Sequence, residues 1–526
     1  NPEKEVILEE IKRGEDSPDR SLYRGVYSNM YGTNGYGRPV IGFPKTVKAC
    51  SASMLKSFWK KWYAPSLMTV VVAGDVDPIV VEREVMKTWG KAKTKGLRAR
   101  RRQIGFDQKI APIKKLTAGK EFPVNAIRWA AAVPACNIHA SILPALDASG
   151  MILGQGESSR LYRRLFREEQ VVTSISAGVW SPAGVGMYSF DAEVPIEKAG
   201  RFRAILREEI ERFCDEGPTE EELDRVKVAI ETDRIYGAQS MDGLANRLGF
   251  QKTVLGNTHF DLEYLMSVRD LTLEDVRLAA KQFLNLDELR EYALYPKKFE
   301  PVKIWPKSEA LSKPSVAPKS RVKTVASPVS GERLVLKNGI ELVLYPRKDV
   351  PVISMQACAF GGVRFEQKSN AGIGNLLSDV WEKGPHGWSA TRFSEFLEGR
   401  GARIEAFSGR NSLGLSAGML TQRFAEVAPV FAETLFNPAL EESEFEHSKN
   451  VTLEDIRTIE DDSGRLVGRI FCENLFEGHP YAFPLIGYSD SVRGLSHGDL
   501  LKHYKQLIQH APMVVSVSGK FDSKKV

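Results

Sequence analysis

One segment of the chain recurs 445 positions downstream without a gap, and this limits the folds open to it more than any other feature. Lys4-Glu5-Val6-Ile7-Leu8-Glu9-Glu10-Ile11 is answered by Lys449-Asn450-Val451-Thr452-Leu453-Glu454-Asp455-Ile456. Tyr36, Pro39, Ile41 and Gly42 are answered by Tyr481, Pro484, Ile486 and Gly487, and Met68, Gly74 and Asp77 by Met513, Gly519 and Asp522. A register kept over about 75 residues marks a duplicated structural unit. The full 526 residues are too many for one core and suit three or so domains of about 100–200 residues.

Both copies follow one pattern. A helix runs from about Glu3 into Glu15-Asp16, and a second carries Leu55, Phe58, Trp59 and Trp62 at helical spacing, an apolar face for a core. In the second copy that face reads Leu500, His503, Tyr504 and Leu507, started by the cap Ser496-x-x-Asp499. A buried-type strand follows, 68–73 or 513–518, ended by Gly74 or Gly519. Between the copies, 126–133 reads as a strand, 158–169 as a helix and 185–189 as an alternating strand. Long helices follow over 197–213 and from the capping box Thr219-x-x-Glu222. Residues 298–330 are rich in proline and lysine and read as an extended, solvated linker. Beyond it, strands around Asn338-Gly339 form a hairpin, with a third strand over 352–360 and a helix around 372–383. Mixed strands and long helices within each unit give an α+β fold of repeated domains, each a mostly antiparallel sheet packed with helices.

Composition excludes several classes. Charged residues make up 27% and apolar ones 42%, as in ordinary soluble proteins, and no apolar run is long enough to span a membrane. The five cysteines (Cys50, Cys136, Cys214, Cys358, Cys472) are scattered and form no C-x-x-C pair, so neither a disulfide framework nor a thiolate zinc site is indicated. The net charge of +6 is concentrated in Lys91–Arg102, which lacks interleaved aromatics and reads as a solvated linker rather than a nucleic-acid site. The opening Asn1-Pro2-Glu3-Lys4 has no initiator Met or signal segment and reads as a cut inside a longer protein. The compartment is therefore not legible; periplasm and cytoplasm both stay open, as does the oligomeric state.

Three stretches together resemble the insulinase/pitrilysin family of zinc metallopeptidases: Gly37-Arg38-Pro39-Val40-Ile41-Gly42 with Val71-Val72-Ala73-Gly74-Asp75-Val76-Asp77, Ser158-Ser159-Arg160-Leu161-Tyr162, and Ala371-Gly372-Ile373 with Lys383-Gly384. The resemblance covers essentially the whole chain. It implies residues 1–109 as the C-terminal part of a first, catalytic domain and 110–297 as a second domain. It also implies 298–330 as the hinge between two bowl-shaped halves and 331–526 as a third, non-catalytic copy of the first.

In this family H-x-x-E-H on a helix supplies two zinc ligands and a general base, and a later glutamate completes the Zn2+ site. None of the eight histidines lies in such a motif. By the resemblance, its positions in the second copy fall on Asn375, Ser378 and Asp379, which cannot build the site. The repeat places the first copy's motif about 70 residues ahead of Asn1. With about 114 residues expected in front and about 216 behind, the whole would reach roughly 850.

The resemblance makes Glu10 the zinc-ligand glutamate, with Glu9 the competing register. It makes Glu3, two helical turns earlier, a supporting carboxylate of the catalytic site. Their counterparts are Asp455 and Ser448. The family's substrate-positioning arginine and tyrosine, seven residues apart, would fall on Arg167 and Ser174. The pair is broken, so Arg167 reads as a surface helix residue and the working pair is expected in a fourth domain. The expected function is a zinc metalloendopeptidase cutting unfolded peptides in an enclosed chamber, with this portion inactive alone. The alternative is a non-catalytic scaffold or partner subunit.

Overall fold

The computed structural model describes residues 2–91, 117–296 and 331–523, apart from 338, 348–350 and 462. Basic residues 92–102 and the linker 298–330 lie outside the described residues.

The second unit is built on strands β1 (Thr117–Phe122), β2 (Ile127–Ala135), β3 (Ser174–Trp180), β4 (Gly186–Val194) and β5 (Arg290–Pro296), in the order β1-β5-β2-β4-β3. Only the β1–β5 pair is parallel. β2 is apolar almost throughout because both of its faces are covered. Alternation sends Trp129, Ala131 and Val133 into a core with helices of this unit, and Ala130 and Ala132 onto the helix Pro18–Tyr31. Leu22, Val26, Met30 and Tyr31 of that helix fill the second core, which seats the first unit on the second unit's sheet.

The third unit carries β6 (Glu332–Val335), β7 (Glu341–Pro346), β8 (Val352–Phe360), β9 (Arg403–Ser408), β10 (Ser412–Leu420) and β11 (Met513–Gly519), in the order β6-β7-β11-β8-β10-β9. β6 and β7 form the expected hairpin. β11 inserts between β7, which it meets in parallel, and β8, which it meets antiparallel. One face of the sheet buries Ile353, Met355, Ala357 and Ala359 against Leu376, Trp381, Phe431 and Phe445. The expected boxes at Thr219 and Ser496 both cap helices, Glu220–Gly237 and His497–His510. The stretch expected as a helix over 158–169 is wound with wide π turns from Tyr162 to Glu168. No helix among the described residues is long and apolar enough to cross a membrane.

The first unit corrects two expectations. Its helices Pro2–Glu15, Pro18–Tyr31, Ala52–Trp62 and Pro78–Thr88 form, but 68–73 pairs with no strand among the described residues. The aromatic face of Ala52–Trp62 is also exposed rather than part of a core. The repeat gives the reason. β11 is held on both edges by β7 and β8, and those strands have no counterpart between residue 1 and residue 68. A strand without neighbours gains no ladder, and a helix without a sheet has nothing to bury its stripe against. Leu55 is 63% exposed and Val72 50%, whereas their counterparts Leu500 and Val517 are at 0% and 1%.

The two copies should therefore respond differently to the same truncation. In the 526-residue chain, Leu500→Ala is expected to lower the third unit's stability by about 2–5 kcal/mol. Leu55→Ala should stay within about 0.5 kcal/mol. Urea unfolding of the two variants measures the contrast.

Candidate functional site

Glu3 and Glu10 lie on one face of the helix Pro2–Glu15. Both are exposed, and neither carboxylate makes a hydrogen bond or ion pair among the described residues. Ile11 is the helix's buried anchor, and Lys4 Nζ donates to Lys48 O at 3.0 Å. Glu10 borders a cavity of about 550 Å³ lined by Arg20, Tyr27, Tyr36, Pro39 and Trp180. Trp180 enters from the second unit, with ring centroids 5.4 Å from Tyr27 and 5.3 Å from Tyr36.

The second copy has the same cavity, of about 440 Å³, at matching positions: Ile456, Arg465, Cys472, Pro484 and Gly487. There the helix Ile373–Trp381 sits beside it. Its start is fixed by Glu366, a buried carboxylate that accepts the N–H groups of Gly372 at 2.8 Å and Gly374 at 3.1 Å. Gly372 has φ +97°, and a Cβ there would lie 2.6 Å from Ile486 O, so the loop Pro484–Gly487 is the seat of this helix. The matching loop of the first copy is Pro39–Gly42.

The three positions matched to the family's metal motif hold one another instead. Asn375 Nδ2 donates to Asp379 Oδ2 at 3.1 Å, and Ser378 Oγ donates to Asn375 O at 2.8 Å. Burial pushes the Asp379 carboxyl up to about 7; Glu382 and Asp455 add to this and Lys383 opposes it. Asp455, the counterpart of Glu10, therefore faces Asp379 across the packed helices Ile373–Trp381 and Glu442–Asp461. Structural and catalytic zinc sites need imidazole, thiolate or carboxylate donors converging on one point. No group of three His, Cys, Asp or Glu side chains does so among the described residues. These residues do not fit a zinc ion by themselves: the first copy presents one carboxylate arm, and the second has an amide and a hydroxyl where imidazole and carboxylate would be required.

Two arginines carry more than the residues alone disclosed. Arg167, expected on the surface, is only 15% exposed and is held between Glu157 of its own unit and Glu444 of the third. Its helix packs on the third unit, which no periodicity within 158–169 could signal. Arg160 is buried, with Nε and Nη2 donating to Glu222 at 2.8 and 2.7 Å. Glu222 also accepts the Thr219 N–H, so the capping box visible in the sequence doubles as an anchor for Ser158-Ser159-Arg160.

The Asp379 environment sets a pH dependence. A folded-state pKa near 7, above the ordinary value of 3.8, favours folding while the group is protonated. That contribution is complete below about 4 and is lost as pH rises towards 7. Asp379→Asn should stabilise the third unit at pH 8 by up to about 4 kcal/mol and leave it nearly unchanged at pH 4, as read by urea unfolding at the two pH values.

Comparison with known proteins identifies one peptidase family. The model of the "Peptidase M16 inactive domain" matches residues 49–230, and that of "Insulinase (Peptidase family M16)" matches 350–488. An uncharacterised zinc protease of Streptomyces coelicolor is 26% identical over 299 residues, 54% of this chain and 62% of that protein. Subunit 1 of the bovine mitochondrial cytochrome b-c1 complex is 23% identical over 191 residues, 36% of this chain and 40% of its own. The crystal structure of a peptidase M16 inactive domain from Pseudomonas fluorescens superposes with TM-score 0.48 at 20% identity, covering 57% of this chain and 71% of that one. The chain thus spans under two thirds of the Streptomyces protein it resembles. Two models of one family, which match residues 49–230 and 350–488, place this chain in the insulinase family of peptidases, family M16.

Proposed function

We propose that this chain is the middle portion of a zinc metalloendopeptidase that hydrolyses unfolded peptides in an enclosed chamber. In this reading Glu10 is the carboxylate ligand from the chain, and Glu3 supports it from the same helix face. One observation carries it. In the second copy the residue matched to Glu10, Asp455, lies on a helix packed against the one that carries Asp379, which is seated at Pro484–Gly487, and its charge adds to that of the Asp379 surroundings. A helix seated likewise on Pro39–Gly42 would bring two imidazoles to Glu10, and its sheet would cover the exposed face of Ala52–Trp62. The ion would supply an activated water there. No reaction step is assigned to the described residues, which offer one arm of the site.

Similarity to the bovine complex subunit supports a second reading, a non-catalytic member acting as a partner subunit. The residues encoded ahead of Asn1 separate the two: H-x-x-E-H there belongs to the peptidase, and its absence to the scaffold.

The 526-residue chain alone is expected neither to retain zinc in equilibrium dialysis nor to cleave a quenched fluorescent peptide; cleavage by the pure chain would overturn the assignment. In a polypeptide extended upstream to include the motif, Glu10→Gln should abolish zinc retention and activity. Glu3→Gln should cost about 10–100-fold in activity, as supporting residues of metal sites do. Glu9→Gln should change little. An inactive Glu9 variant beside an active Glu10 variant would transfer the ligand role to Glu9.

A further inference from the structure

We propose that Glu157, Arg167, Lys383 and Glu444 form a charge-exchange lock that fixes the second unit against the third. Each unit gives one cation and one anion. Lys383 Nζ of the third unit donates to Glu157 Oε1 of the second at 3.0 Å. Arg167 Nη1 of the second unit donates to both carboxylate oxygens of Glu444 of the third, at 2.7 and 2.6 Å, while its Nη2 donates to Glu157 Oε2 at 2.9 Å. Ser394 Oγ of the third unit adds a bond to Glu157 at 3.3 Å. Both cationic side chains are only 15% exposed.

The placement of the lock follows from two packed helices of the third unit: Lys383 lies just past the end of the helix Ile373–Trp381, and Glu444 in the first turn of the helix Glu442–Asp461. A second line of contacts continues the seam. The Phe166 and His447 rings meet edge-on at 4.7 Å, and Arg163 Nη1 donates to Glu395 at 3.2 Å. Ser158 donates its N–H and its hydroxyl to Glu398. At Gly401, with φ +57°, a Cβ would lie 2.0 Å from Thr232 Oγ1, so the third unit's backbone presses directly on the helix Glu220–Gly237.

Burial alone would weaken all of these charges. For Arg167, Glu157 and Glu444 more than offset it and hold the guanidinium above its ordinary range, and Lys383 is held up in the same way by Glu157 and Glu382. Buried pairs of this kind add little net stability relative to apolar packing, yet losing one partner strands a charge, so they act chiefly on geometry. The lock is independent of where the peptidase site lies.

The test uses the 526-residue chain and reads small-angle scattering together with carbethoxylation of His447, whose Nε2 is buried without a hydrogen-bond partner at the seam. K383M and E157Q, with unchanged far-UV circular dichroism, are each expected to increase the radius of gyration and to speed His447 modification about tenfold. The pair K383M/E157Q should recover most of the change, because coupled neighbours are non-additive and the remaining Arg167 and Glu444 charges balance. If K383M loses its fold, E444Q gives the same reading from the other pair. Single variants that leave both measurements unchanged, or a double variant that simply sums the singles, would overturn the lock.

Discussion

β11 holds the third unit together because it is hydrogen-bonded along both edges, to β7 on one side and β8 on the other. The strand buries Met513 and Val517 and leaves Val514 exposed, and its backbone groups become stable beside a core only when each edge has a partner. Everything around it depends on that insertion: the helix His497–His510 lays Leu500 and Leu507 into the same core, and Trp381 fills it from the other helix. The first copy has the same strand sequence pattern and even the same terminal glycine conformation, with φ +148° at Gly74 and +134° at Gly519. Without flanking strands the segment stays unpaired and its helix shows its aromatic face to solvent. One constraint, the pairing of a central strand, therefore explains why two copies of one pattern have different structures here.

The first unit is nonetheless positioned, through a different mechanism. The helix Pro18–Tyr31 packs its apolar stripe on Ala130 and Ala132 of β2, so a strand of the second unit serves two cores by alternation. Tyr31 Oη donates to Val185 O at 3.1 Å and Tyr36 Oη accepts the Gly184 N–H at 3.1 Å. These bonds carry the loop that begins at Tyr36 onto the second unit, which sets both Glu10 and the seat Pro39–Gly42 beside Trp180.

What was legible in the residues was whatever depends on neighbours in sequence. Periodicity and capping boxes gave the helices at Glu220 and His497, an apolar run gave β2, alternation gave β4, and Asn338-Gly339 gave the hairpin of β6 and β7 with β8 as the strand that follows it. The 445-residue register gave the equivalence of Glu10 with Asp455 and of the two cavities. The failures all concern partners far away in the chain. The run 68–73 has the composition of a buried strand, but burial is decided by strands it must meet. Arg167 stands in a charged helical stretch like any surface residue, and only the approach of Glu444, 277 positions later, buries it. The assignment of Glu3 and Glu10 draws on family resemblance, since an exposed carboxylate on a helix carries no local mark of a ligand.

The charges around Asp379 also bear on how the second and third units meet. Asp379, Glu382 and Asp455 bring three carboxyl groups into one neighbourhood. Such a cluster in a cleft is costly, because like charges close together in a poorly solvated place disfavour ionisation. The chain answers in two ways. Asn375 donates to Asp379, whose proton is retained up to about neutral pH. Lys383 and Arg167 bring positive charge to the rim, and Arg167 comes from the other unit. A cation delivered by a neighbouring unit can be supplied only when the units are apposed, so the charge balance of this region depends on the interface.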